Sequence, residues 1–324
     1  LGYDTTLYTT NYRSHMIHTY NEWDKLQEIV VGTADHANWP TNDPVFANES
    51  EKTSWKETPV PSGPVPQWVI DEANEDLNDL ADVLTQLGVI VHRPTDMNFQ
   101  QLGGMYNYCP RDRLLIHGDK IIDCAMMYPC RDMEIDALGM VTQGHEVIRM
   151  PRDQGMVLDA ANVCRLGDTL LVLESESGNK RAISWLAKQL PDVTIQTCNF
   201  YSGVHIDSTI TPLQEGIVIV NGNRVNKDNL PSVFKDWEVI FVNEVVPQSF
   251  YQYPYASKWI AMNMLVVQPG TVIVDRAQTE LILLLENTYR LNVIPLQLRH
   301  SRTLGGGFHC VTLDLNRTEP LNTV

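Results

Sequence analysis

The stretch Leu114-Leu115-Ile116-His117-Gly118-Asp119-Lys120-Ile121-Ile122 is two apolar runs joined through a Gly-Asp turn, the signature of a tight β-hairpin. A helix is expected next, near Asp132 to Val141, and then a strand near Glu146 to Ile148. The same order returns in Val163 to Leu166, Gly167-Asp168, Leu170 to Leu173, a helix near Asn179 to Leu190 and a strand at Val193 to Thr197. Glu215-Gly216 leads on to a strand at Val239 to Val242. Pro269-Gly270 leads to a helix around Leu281 to Leu285 and a strand at Val293 to Leu296. The turn glycines 118, 167, 216 and 270 recur at intervals of roughly fifty residues, which indicates a repeat architecture.

No single strand-strand-helix-strand unit can bury its own apolar faces, so the copies are expected to pack around a common axis. Upstream, Leu26, Ile29, Val30 and Val31 read as a strand. Ala73, Leu77, Leu80, Leu84 and Leu87 fall on one face of a helix that starts near Ile70 and stops at Gly88, before a buried strand at Val89 to Val91. This first unit would be completed by the last strand, near His309 to Leu315, returning to close a ring of five. An ordinary open α/β sheet is the alternative. Thr33 to Pro66, rich in Pro, Asn and Ser, reads as a long loop of the kind that forms lids. Leu1 to His15 is polar and aperiodic and is read as an expression tag or disordered leader, with 16–324 as a single domain.

With 24 Lys plus Arg against 40 Asp plus Glu, the formal net charge of -16 repels phosphate backbones and anionic lipid, while a small cationic substrate is attracted. Nucleic acid is therefore not an expected partner. The chain has no apolar run of ~18 residues and no basic-then-apolar start, so no membrane association is expected and a cytoplasmic location is the default. The six cysteines read as reduced thiols in a chain of 324 residues. They show no Cys-x-x-Cys spacing, and no glycine-rich phosphate loop is present, so neither a metal nor a cofactor is expected.

Gly305-Gly306-Gly307-Phe308-His309-Cys310 gives the backbone freedom to approach a ligand and brings a thiol to the mouth of the closing strand. A buried, inert Cys310 is the plainer alternative. In Gly203-Val204-His205-Ile206-Asp207, alternation puts His205 and Asp207 on one face of a strand, as a cation site with an acid/base beside it would require. Asp159 is flanked by apolar and small residues, so it is expected to be partly buried and to need a partner, for which His205 is a candidate. Asp112 stands before its hairpin as Asp159 does before the next one. A turn residue, or an ion pair with Arg111 or Arg113, is its plainer reading.

Together, Asn21-Glu22-Trp23-Asp24-Lys25-Leu26, Cys109-Pro110-Arg111-Asp112, Leu158-Asp159-Ala160-Ala161, His205-Ile206-Asp207, Ser257-Lys258-Trp259 and the glycine-rich segment ending in Cys310 resemble the arginine:glycine amidinotransferases. The resemblance implies the five-bladed α/β-propeller (pentein) fold, in agreement with the repeat count. It implies Cys310 as nucleophile, His205 as general acid/base and Asp159 as the carboxylate orienting it. It further implies Asp112 and Asp207 as the grip on a guanidinium, and Arg224 and Ser257 as contacts to the amino-acid end of the substrate. The partners implied are L-arginine and an amine acceptor, with a homodimer left open.

Ser202, Val204 and Ala256 stand where the glycine-using members have Asn, Met and Ser, and Asn162 replaces the second acid of an Asp-Ala-Ala-Asp run. The tail after Leu315 also lacks the usual Arg-Arg-x-Gly continuation. Glycine, giving ornithine and guanidinoacetate, is the leading acceptor, because no basic cluster for a phosphate lies near the motifs. The alternatives are a non-glycine acceptor of secondary metabolism, such as an inosamine phosphate, or a guanidine hydrolase of the arginine or agmatine deiminase type.

Overall fold

Gly118, Gly167, Gly216 and Gly270 adopt φ of 62°, 76°, 82° and 83°, a left-handed turn geometry that disfavours any Cβ. In the computed structural model, which describes residues 17–52, 60–200 and 205–318, each closes an antiparallel hairpin. The hairpins are Leu114–His117 with Lys120–Asp123, Val163–Arg165 with Thr169–Leu173, Ile210–Gln214 with Ile217–Asn221, and Leu265–Gln268 with Thr271–Asp275. The second strand of each then pairs in parallel with a third: Val147–Arg149, Thr194–Cys198, Glu238–Val242 and Asn292–Leu296 respectively.

The fifth sheet joins the two ends of the chain. Thr312–Thr318 lies antiparallel to Lys25–Val31, which pairs in parallel with Ile90–His92. Five three-stranded sheets therefore make the five-bladed α/β-propeller. Between their inner strands remains a cavity of only about 20 Å³, room for about one water, lined among others by Cys164, Ile210 and His309.

The connecting segments are less uniform than the repeat predicts. Gln67–Gln86 is a helix whose Val69, Ile70, Ala73, Leu77, Leu80 and Leu84 are buried, each large aliphatic contributing about 1.5–3 kcal/mol. Lys180–Gln189 starts where the Asn179 side chain accepts the Ala182 N–H at 3.0 Å. Pro129–Leu138 is a 3-10 helix in place of the expected α-helix, followed by the short Gly139–Thr142 helix. Its i,i+3 geometry places Arg131 against Glu134, both buried, at 2.8 Å. The blade that begins with Ile210–Gln214 replaces its helix with the single turn Ser232–Phe234.

The segment expected as a long loop from Thr33 to Pro66 is partly regular. It holds the helix Pro44–Lys52 and a ribbon of Asn38–Trp39 with Gly63–Pro64, and it buries Trp39, Phe46 and Val65. Its residues 53–59, like residues 1–15, expected to be a tag or leader, and the positions Ser202 and Val204, lie outside the described residues. The strand expected at Val89 to Val91 is Ile90–His92, with Ile90 exposed on the sheet edge.

Three blades are tied together by buried charge. Arg165 Nη2 lies 2.6 Å from Glu22 and 2.7 Å from Asp314, and Asp314 also meets Arg111 and Arg317, each at 2.6 Å. Burial alone would raise the Asp314 carboxyl, but the three arginines hold it well below the ordinary range.

Candidate functional site

Four of the five blades are entered through a one-turn 3-10 segment, and these segments pack on one another in chain order. Pro110–Asp112 packs on Ala160–Asn162, that on Ile206–Ser208, and that on Lys258–Met262. The ring of turns carries Asp112, Asp159, His205, Asp207 and Ser257. Into it comes Cys310, two residues ahead of the closing strand. Asp159 and His205 are not in strands; each is the extended residue just before its turn. The alternating strand expected for His205 to Asp207 is thus a turn, closed by the Thr209 N–H on the Ile206 carbonyl at 2.8 Å and anchored by fully buried Ile206.

The glycines before Cys310 serve close approach. A Cβ on Gly306 would lie 2.5 Å from Cys109 Sγ, and one on Gly307 would lie 2.6 Å from Asn263 Cβ. Asn263 Oδ1 accepts both the His309 and the Cys310 N–H at 2.9 Å, which fixes the backbone beneath the thiol.

His205 is held from two sides. Its Nε2 meets Asp159 Oδ2 at 2.9 Å, and its Nδ1 faces Asp112 Oδ1 at 3.4 Å. Asp159 is in turn positioned by the Met127 N–H, 2.7 Å from its Oδ1. Burial disfavours a charged imidazole, yet Asp112, Asp159 and the Cys310 contact hold His205 well above its ordinary range. Asp112, Asp159 and Asp207 are all buried, and Cys310 Sγ lies 3.2 Å from Asp207 Oδ2. One oxygen of Asp112, one ring nitrogen of His205 and the Cys310 sulfur all lie within 4.8 Å of one another. Such a trio could also ligate a soft divalent ion.

Cys310 is not a thiolate at rest. Its contact with the Cys109 thiol, its burial and the Asp207 carboxylate push the thiol well above its ordinary range, with only the His205 contact opposing. Asp112 is pushed up by burial despite His205 and Arg131, and its buried Oδ1 has no hydrogen-bond donor. This buried acceptor without a donor lies next to the His205 ring and the Cys310 sulfur.

Asp112 does not pair with Arg111 or Arg113. Its partner is Arg131, at 2.8 Å, while Arg111 serves Asp314 and Arg113 serves Asp123. Arg224 donates to Thr209 Oγ1 at 2.9 Å, and Ser257 Oγ accepts the Trp259 N–H at 3.3 Å. Of the departures from the glycine-using pattern, Asn162 is structural: its side chain donates to Ser177, whose carbonyl also accepts the Asp159 N–H. Ala256 is buried, with its N–H on the Arg302 carbonyl.

Arg131, Asn263, His309 and Glu22 also belong to the site, though residue pattern alone assigns them no role. The last two had a signal, since both lie in motifs that carry the family resemblance. His309 touches Asp207 through Nδ1 at 2.8 Å and Glu22 through Nε2 at 3.1 Å.

No family model matches the chain. It is 41% identical over 339 residues to inosamine-phosphate amidinotransferase 1 of Streptomyces griseus, covering 94% of this chain and 97% of that protein. It is 28% identical over 356 residues to the mitochondrial glycine amidinotransferase of Gallus gallus, covering 94% and 84%. The solved structure of the inosamine-phosphate amidinotransferase from Streptomyces griseus matches with a TM-score of 0.87 at 39% identity, covering 95% of this chain and 99% of that one. Among the described residues, no helix is long and apolar enough to cross a membrane.

Proposed function

Because this chain belongs to the amidinotransferase family, we propose that it moves the amidino group of L-arginine through Cys310 to the amine of a phosphorylated aminocyclitol, an inosamine phosphate. The observation that carries the transfer chemistry is the convergence of Asp112, His205 and Cys310 within 4.8 Å. The higher identity to an inosamine-phosphate enzyme than to a glycine enzyme supports the acceptor, so glycine, expected from the family at large, gives way to the alternative.

In this reading the guanidinium lies between Asp112 and Asp207, with Arg224 and Ser257 toward the amino-acid end of arginine. Resonance makes the guanidinium carbon a poor electrophile, so fixed carboxylates must hold it still while sulfur approaches. The arriving cation lowers the raised Cys310 thiol, since an opposite charge within a few ångströms shifts a pKa by ~1–3 units. Sulfur attacks the central carbon and the C–N bond to the ornithine nitrogen breaks. The proton lost from the thiol ends on that nitrogen, with His205 as carrier, and the amidino group stays on sulfur. The acceptor amine then gives its proton to His205, attacks the amidino carbon and expels sulfur, which is reprotonated. Asp159 orients His205 in both halves, the division of labour of a Ser-His-Asp triad.

A phosphate on the acceptor needs a cation. Arg152, about one-third exposed with side-chain accessibility of 32%, donates to the Met126 carbonyl at 2.6 Å, next to the Met127 amide that holds Asp159. It pairs with the half-exposed Asp132, so a phosphate on that side would have to compete with that carboxylate for it.

The test is in two arms. Arginine alone, acid-quenched, should leave an amidino group on Cys310 by peptide mass; its absence, or the appearance of citrulline, overturns amidino transfer. Arginine offered with an inosamine phosphate, lysine and glycine in competition should give the guanidino-cyclitol product first, and guanidinoacetate as the main product would restore glycine.

A further inference from the structure

Cys310 has a histidine on either side, and only His205 has a place in the chemistry above. His309 is buried to a similar degree, and both of its ring nitrogens face carboxylate oxygens: Asp207 Oδ2 at 2.8 Å and Glu22 Oε2 at 3.1 Å. The ring is therefore held by a hydrogen-bonding contact at each nitrogen. Burial would raise each of the two acids, but Arg165 and His309 hold Glu22 well below the ordinary range, and the His309 bond holds Asp207 below it.

The support continues outward. Glu22 is gripped by Arg165 through Nε at 3.0 Å and Nη2 at 2.6 Å, and the His309 carbonyl accepts Arg111 Nε at 2.7 Å. The ring is thus fixed at both nitrogens and at its backbone by groups belonging to the charge network that joins the blades. Asp207 Oδ2, the oxygen His309 holds, is also the one 3.2 Å from Cys310 Sγ.

We propose that His309, clasped between Glu22 and Asp207, is a positioning residue that sets the plane of the Asp207 carboxylate for the substrate guanidinium. The Asn21-Glu22-Trp23 motif thereby acquires a role, with Glu22 as the outer anchor of that ring. The inference rests on the reading of Asp207 as one half of the guanidinium grip.

The experiment compares wild type, Asp207→Asn, His309→Ala, His309→Phe and His309→Asn, each checked for folding by circular dichroism and melting. KM for arginine and kcat are measured with the acceptor saturating, and the reactive fraction is counted by amidino-Cys310 mass. Loss of a charge-assisted bond should raise the arginine KM by about tenfold or more in His309→Ala and His309→Phe, with a smaller fall in kcat. His309→Asn, whose amide can reach Asp207 but not Glu22, should recover most of that loss. A purely structural role would instead lower the reactive fraction at constant KM. An unchanged KM in both His309→Ala and His309→Phe, or no recovery in His309→Asn, overturns the proposal. An unchanged KM in Asp207→Asn removes the guanidinium grip itself, and the inference falls with it; failure to form amidino-Cys310 in wild type is the separate failure of the transfer reading.

Discussion

Two clusters of buried charge lie against each other in this molecule, and they are built to opposite ends. In the first, Arg111, Arg165 and Arg317 surround Glu22 and Asp314, and both acids are held well below their ordinary range despite burial. In the second, Asp112, Asp159, Asp207 and Glu134 are matched by Arg131 and two histidines, and burial pushes Asp112 and Glu134 up. The first cluster is saturated and joins blades. The second is not saturated: Asp112 and Glu134 share one arginine, and Asp112 Oδ1 is buried without a hydrogen-bond donor. His309 spans the two.

The sharpest way to break this contrast is at the sulfur. Cys310→Ala should cut ornithine release by about 10⁴-fold or more if Cys310 is the nucleophile, while the loss of one buried sulfur leaves the fold in place. Appreciable turnover in that variant would dissolve the distinction. Asp159→Asn should slow both half-reactions, by ~10²–10⁴-fold, through loss of the His205 orientation; rapid-quench rates for amidino-enzyme formation and decay would check each half.

The saturated cluster should answer the other way. Arg165→Met strands Glu22 and removes one of three cations from Asp314, so it should cost about 3–5 kcal/mol in denaturant unfolding. A cost under about 1 kcal/mol would show that the network is ornamental to stability.

The smallest effect concerns pH. One buried guanidinium, Arg131, is shared by Asp112 and Glu134, and burial outweighs it at Glu134, whose carboxyl is pushed from 4.5 to about 7. The folded state then holds the Glu134 proton more tightly than the unfolded chain does. Its contribution to stability is present below pH 4.5 and is lost as the pH rises through about 7. Glu134→Gln should flatten the melting temperature across that window, and an unaltered slope would place the pH dependence elsewhere.

The propeller was legible because four of its five blades advertise themselves locally, by a glycine turn between apolar runs that repeats along the chain. What varies between blades was less legible. In the 3-10 helix Pro129–Leu138, Arg131 meets both Glu134 and Asp112, and the second of these is a contact that local periodicity does not encode. The residues of the candidate site could be named through motif resemblance, and the Asp159–His205 contact was anticipated, but their other partners were not. Glu22 and His309 meet across 287 residues, and Asp112 finds Arg131 instead of the arginines beside it in sequence. Contacts of that range are set by ring closure and leave no trace in spacing.

The closing strand Thr312–Thr318 follows Cys310 and seats it. Ribosomes build from the amino end, so the sulfur emerges after every other member of the cluster. A chain that lacks this last strand holds Asp112, Asp159, His205 and Asp207 but no Cys310 seated beside them, so the cluster is completed by the same strand that completes the first blade.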